Sequence, residues 1–196
     1  MQLKTPIAIF ASGRGTNAEA LIHYSKKSNF EVALIVSNKA DALVLELAKQ
    51  YQIPSLILEK ESFYHSTKVI KSLENFKVEW IVLAGFLWLI PEYLVENFPN
   101  KIINIHPALL PKFGGKGMYG NRVHQAVYDA KAKESGISIH YVNNEYDKGD
   151  IVFQKAISIS PKDKPQQIAE KVLQLEHKYL PLTLEKLIAK DNLQSD

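Results

Sequence analysis

IAIFASGRGTNAEAL, residues 7–21, decides the fold class. It opens as an unbroken apolar run, Ile7–Ala11, crosses a turn of small residues, and takes up a helical pattern from about Asn17 to Lys27. An apolar run without alternation marks a strand covered on both faces. A glycine-bearing turn that leads straight into a helix is how a parallel strand begins its crossover. The alternation continues along the chain. Apolar runs at Val32–Val36, Ser55–Leu58, Trp80–Ala84 and Ile102–Ile105 are separated by helical patterns over Asp41–Tyr51, Glu61–Phe76 and Pro91–Asn97, the last with proline in its first turn. The expectation is a doubly wound α/β fold, a mostly parallel sheet with helices on both faces.

The pattern changes after residue 107. PALLPKFGGKGMYG, residues 107–120, holds two prolines and four glycines and reads as a long functional loop. Ile137–Val142 and Ile151–Ile159 follow as strands joined by NNEYDKGD, residues 143–150. The second alternates apolar with polar, which predicts an antiparallel strand near the edge. Asp163 and Pro165 then signal the start of a long C-terminal helix. Its apolar face is Ile168, Val172, Leu175, Tyr179 and Leu182, with a kink expected at Pro181 and a frayed polar tail beyond Lys190.

The chain has 196 residues, 46% hydrophobic and 23% charged, with a formal charge of +3. One domain, residues 1–196, is expected. No dense Lys/Arg stripe points to nucleic acid, and no apolar run is long enough for a membrane span. Without cysteine, disulfides and thiolate metal sites are excluded, and a reducing cytoplasm is compatible.

Three stretches could carry chemistry. In the first, Gly13 and Gly15 let backbone approach a ligand while the free N–H groups at the helix start attract an anion. The spacing also reads as the dinucleotide fingerprint G-x-G-x-x-A. That fingerprint needs a ribose-binding acid at the end of the second strand, where Ser37, Asn38 and Lys39 stand instead. A phosphate monoester fits better; a simply capped turn is the bland alternative. In the second, VLAGFLWLIP (residues 82–91), the cluster after Gly85 either walls a pocket for a flat heterocycle or is core. In the third, INIHP (residues 103–107), Asn104 and His106 stand two apart on a strand and so project from one face. A proton-trading imidazole beside an amide donor suits a developing oxyanion; a strand-end cap is the alternative. Asp147 and Asp150 are both candidates to orient or charge that imidazole. His140 and His124 read as structural, and no His pair has metal-ligand spacing.

SGRGTN, AGF and NIHPALLP followed by a D-x-G turn together resemble the folate-dependent formyltransferases, over about Ile7–Ile188. SNKADA (37–42) and LEH (175–177) are similar to the branch that acts on 5-phosphoribosylglycinamide. The resemblance implies transfer of a formyl group from 10-formyltetrahydrofolate to that substrate's amine, in purine synthesis, by a cytoplasmic monomer or homodimer that needs no metal. It implies Asn104, His106 and Asp147 as the catalytic residues, with His106 charged. Gly15, Thr16, Asn17 and Glu176 would contact the phosphorylated substrate. Leu87, Trp88, Leu89 and Ile90, with Asn104, Asn143, Asn144, Glu145, Tyr146 and Asp147, would line the folate pocket. An N-terminal phosphate-binding half to about residue 100 and a catalytic and folate half over about 101–190 are expected. Trp88 stands where the commonest bacterial pattern has a basic residue. The loop KFGGKGMYGNRVHQAV is longer than the common type, with Lys116 and Tyr119 expected to close over the substrate. The related hydrolases and tRNA formyltransferases carry extra domains, which favours the small-substrate reading.

Overall fold

Strand β1 (Thr5–Phe10) is covered on both faces, as its unbroken apolar run requires. Ile7 and Ile9 enter one apolar layer, Ala8 and Phe10 the other, and all four are fully buried. The structure is a computed structural model that describes residues 4–195. After β1 come α1 (Thr16–Ser25), β2 (Phe30–Ser37), α2 (Leu43–Gln50) and β3 (Ser55–Ile57). Helices α3 (Lys60–His65) and α4 (Lys68–Asn75) lead to β4 (Trp80–Leu83), then α5 (Glu92–Asn97) and β5 (Ile102–His106). A long loop precedes α6 (Asn121–Asp129), β6 (Glu134–Tyr141), β7 (Ile151–Ser158) and α7 (Pro165–Ser195).

The strand order is β3-β2-β1-β4-β5-β6-β7. The first five strands are parallel; β6 and β7 add antiparallel. One apolar layer packs under α1, α2, α6 and α7 and the other under α3, α4 and α5. The chain leaves β1 outward to β2 and β3, then returns to β4 on the other side of β1. The order therefore reverses between β1 and β4, and in an open α/β sheet the ligand crevice lies outside the strand C-termini at that reversal.

Three expectations need correction. The single helix over 61–76 is two helices. Ser66 is extended (φ −145°, ψ 157°), and its hydroxyl donates to the Ser62 carbonyl at 2.9 Å, the side-chain competition that interrupts helices. Pro91 is the N-cap of α5 and not a first-turn residue. In α7 the buried track after Ile168 and Val172 is Glu176, Leu180, Leu184 and Ile188, every fourth residue, whereas Leu175, Tyr179 and Leu182 are half-buried at its flank. A carboxylate thus lies in the buried stripe. The helix continues through Pro181 and past Lys190 to Ser195, helped by a 2.9 Å ion pair between Lys101 and Asp191.

Candidate active site

The first wall of the site is the β1–α1 turn. Gly15 is the N-cap of α1 in the left-handed region (φ 80°, ψ 19°). A Cβ there would sit 2.8 Å from Val44 Cγ2, so backbone strain and contact both require glycine. No side chain caps α1; its first-turn N–H groups have no intrahelical acceptor and remain for an anion. Asn17 Nδ2 donates to Glu176 Oε2 at 2.9 Å. Burial drives the Glu176 carboxyl up to about 7, against the opposing pull of that hydrogen bond. Asn17 Oδ1 is buried without a partner.

The second wall comes from β5, β6 and the turn after β6. The β5–β6 ladder pairs Asn104 with His140 and His106 with Ser138. The Ser138 hydroxyl donates to the Ala108 carbonyl at 2.7 Å and accepts from Leu110 N–H at 2.9 Å, which fixes the chain where Pro107 ends the strand. Asp147 is held at φ 57°, a conformation Asp tolerates better than most residues. The following Gly149 lets this turn close against β6: a Cβ there would fall 1.7 Å from the Tyr141 carbonyl oxygen.

These elements bring Asn104, His106 and Asp147 together and add His140. Asn104 Nδ2 donates to His140 Nε2 at 3.0 Å and to Asp147 Oδ1 at 3.3 Å. His140 Nδ1 donates to the Tyr141 carbonyl at 2.7 Å. His106 Nδ1 lies 3.5 Å from Asp147 Oδ2, and its Nε2 donates to the Phe113 carbonyl at 2.8 Å. Asp147 Oδ2 also accepts from Gly115 N–H at 2.9 Å. Burial pushes the Asp147 carboxyl up, but the His140 and His106 rings and the Gly115 N–H together outweigh it and hold the pKa below its ordinary value. Burial lowers the His106 pKa, and Asp147 only partly restores it. Burial thus works against the imidazolium expected from the resemblance, while Asp147 and the Phe113 carbonyl work toward it. Asp150, the rival partner, stays outside: its side chain is exposed and its carbonyl accepts from Tyr141 N–H.

Two cavities meet at this group. The larger, about 540 Å³, runs from Gly13–Asn17 past Asn104, His106 and Asp147 to Glu176, and Lys116 and Tyr119 of the long loop line it. Leu87, expected on the folate side, lines this cavity and not the smaller cleft. The smaller cleft lies between Trp88, Leu89, Ile90 and the turn residues Asn143, Glu145 and Tyr146, with Asn104, His140 and Asp147 at its floor. Asn144 is exposed and does not line it. Trp88 stacks into an aromatic cluster, 5.6 Å from Phe63 and 6.0 Å from Tyr64 between ring centres. Apolar walls over a polar floor are the chemistry a fused heterocycle needs. The cleft's free volume is about 50 Å³. Among the described residues no group of three or more His, Asp or Glu is arranged to hold a metal ion, and no helix is long and apolar enough to cross a membrane.

Sequence reading missed His140, which its β-strand setting disguised as structural; its register opposite Asn104 was the missing signal. It also missed His124 and Arg122, which line the larger cavity from α6.

The reversal crevice, the phosphate-type turn and the Asn–His–Asp group define a group-transferring α/β enzyme. The chain belongs to the formyl transferase family, whose model matches residues 5–184. It is 42% identical over 179 residues to the chloroplastic phosphoribosylglycinamide formyltransferase of Arabidopsis thaliana, covering 88% of this chain and 61% of the relative, and so spans less than two thirds of that protein. It is 38% identical to the phosphoribosylglycinamide formyltransferase of Bacillus subtilis, covering 94% of this chain and 95% of the relative. The crystal structure of the Bacillus halodurans phosphoribosylglycinamide formyltransferase superposes with a TM-score of 0.85 at 36% identity, covering 95% of this chain and 97% of that one.

Proposed function

We propose that the two cavities carry out formyl transfer from 10-formyltetrahydrofolate to the amine of 5-phosphoribosylglycinamide, with Asn104, His106 and Asp147 as the catalytic residues. Formyl transfer in purine biosynthesis is the activity of this enzyme, and the family takes 10-formyltetrahydrofolate as cosubstrate. The observation that carries the residue assignment is that Asn104 and Asp147 line both cavities. A group passed from one ligand to the other has to pass them.

10-Formyltetrahydrofolate supplies the formyl carbon. Trp88, Leu89 and Ile90 on one side and Asn143, Glu145 and Tyr146 on the other would hold its ring system. The amides of Gly15, Thr16 and Asn17 take the phosphate of the other substrate, and Glu176 contacts that substrate beyond the phosphate. As the amine adds to the formyl carbon, negative charge develops on the formyl oxygen. Two donors turn to meet it: the Asn104 N–H that now makes the longer bond to Asp147, and His106 Nε2–H, now on the Phe113 carbonyl. His106 keeps its proton on Nε2 while sharing it with the oxyanion, and Asp147, 3.5 Å from Nδ1, stabilises the positive charge this draws onto the ring. Asp147 also positions a water that relays the amine's proton to the leaving nitrogen.

The N-terminal half to about residue 100 supplies the phosphate turn, and residues 101–190 supply the catalytic group and one folate wall. The enzyme works in the cytoplasm as a monomer or homodimer without a nucleic-acid partner, which light scattering and fractionation test. The central experiment is formyl transfer with both substrates. Wild-type protein that yields no formylated glycinamide ribonucleotide overturns the substrate assignment. His106→Ala should lower kcat by about 10²- to 10⁴-fold; an undiminished kcat overturns the residue roles alone.

A further inference from the structure

We propose that Lys116 and Arg122 clamp the phosphate of the phosphorylated amine from the side opposite α1, and so set the preference for phosphorylated over unphosphorylated substrate. The inference rests on the substrate reading above and adds residues that reading does not use.

Both side chains line the cavity shared with Gly13–Asn17. Together with Arg14 they put three cations on its walls. Among the described residues none of the three is ion-paired. The opposing carboxylates are committed: Asp147 is held by Asn104, Gly115 and two imidazoles, and Glu176 is buried against Asn17. The cavity therefore carries surplus positive charge in a concave site, which concentrates an anion.

Arg122 is pre-positioned. Its guanidinium lies 5.0 Å from the centre of the Tyr119 ring, and its backbone N–H donates to the Tyr119 carbonyl at 3.2 Å. An ordered guanidinium loses less entropy on binding and can grip a phosphate with two donors, while Lys116 adds a point charge. Further along α6, His124 lines the same cavity at 7% exposure, and its Nδ1 has no partner. A buried ring nitrogen left unsatisfied costs stability; here it points to a ligand from outside the chain. Burial holds this imidazole at about 4, so it contributes hydrogen bonding and not charge.

The test compares 5-phosphoribosylglycinamide with its dephosphorylated counterpart in Arg122→Gln, Lys116→Gln and the double variant. Both residues are exposed on the surface, so folding should be unaffected. Each charge-assisted bond to phosphate is worth about 10- to 100-fold. The ratio of kcat/KM for phosphorylated over unphosphorylated amine should fall by about that factor per substitution, through KM, with Arg122→Lys in between. An unchanged ratio in the double variant, or an equal loss on both substrates, overturns the clamp. Inorganic phosphate is the probe independent of the reaction. It should raise the wild-type Tm and act as a competitive inhibitor, and the double variant should lose both effects. If wild-type protein binds phosphate this way but formylates nothing, the substrate reading fails and the clamp stands; phosphate that acts equally on wild type and double variant removes the clamp.

Discussion

Asn104 and His140 face each other across the β5–β6 ladder, and the Asn104 amide donates to His140 Nε2 at 3.0 Å. His140 in turn is locked by its own Nδ1–H on the Tyr141 carbonyl. The pair fixes which edge of the Asn104 amide meets Asp147 and the substrate cavities. In the proposed mechanism His140 is thus a positioning residue for the Asn104 amide.

Removing that acceptor should misplace the amide without emptying either cavity. His140→Ala is expected to lower kcat by about 10- to 100-fold, the cost of a small misalignment, while both KM values stay within about twofold. His140→Gln, whose carbonyl can accept from Asn104, should recover part of the loss. Steady-state kinetics with each substrate varied in turn decide the matter; a loss confined to KM would mean that His140 binds ligand instead.

Glu176 is predicted to make stability fall as pH rises. Its carboxyl titrates at 4.5 unfolded and at about 7 folded. Between those values the native state holds the proton that the unfolded state releases. The stabilising contribution is fully present below 4.5 and is lost as pH rises through about 7. A difference of this size corresponds to about 3 kcal/mol. Glu176→Gln should therefore unfold at higher urea than wild type at pH 8, with the advantage vanishing near pH 4.5, and should weaken binding of the phosphorylated substrate. Equal urea midpoints at pH 8 would contradict the buried carboxyl.

His124 acts at the opposite end of the scale. Its pKa falls from 6.5 unfolded to about 4 folded because burial disfavours the charged ring, with His106 adding repulsion. Below 6.5 the unfolded state binds a proton that the native state refuses, so stability drops as pH falls toward 4. A neutral His124→Gln should flatten the acid side of the stability curve by about 3 kcal/mol. An acid limb identical to wild type would show that other groups govern it.

Gly15→Ala tests the phosphate turn. The substitution forces a Cβ into a left-handed backbone and to 2.8 Å from Val44. A cost of about 1–2 kcal/mol in stability follows from the backbone alone. KM for the phosphorylated amine should rise more than tenfold, by roughly the loss of one hydrogen bond to a charged oxygen, while KM for the folate cosubstrate holds. An unaltered KM for the phosphorylated amine places the phosphate elsewhere.

The amino-acid sequence alone determined what depends on neighbours in the chain. Ile7–Leu21 encodes a buried strand, a small-residue turn and a helix start because each is a local pattern of size and polarity. Asn104 and His106 share a face because a strand repeats every two residues. Tertiary structure decided what depends on partners far along the chain. Asp147, not Asp150, reaches Asn104 and the amide of Gly115, 32 residues back, because a left-handed turn and the β6 register aim it there. Glu176 becomes a buried carboxyl bonded to Asn17 across 159 residues only once α7 crosses α1. His140 joins the site because antiparallel pairing sets it opposite Asn104. The downward pull on the His106 pKa follows from burial, which no local pattern specifies. Desolvation and long-range register are properties of the packed chain, and they turned a strand that ends in Asn-Ile-His into a site.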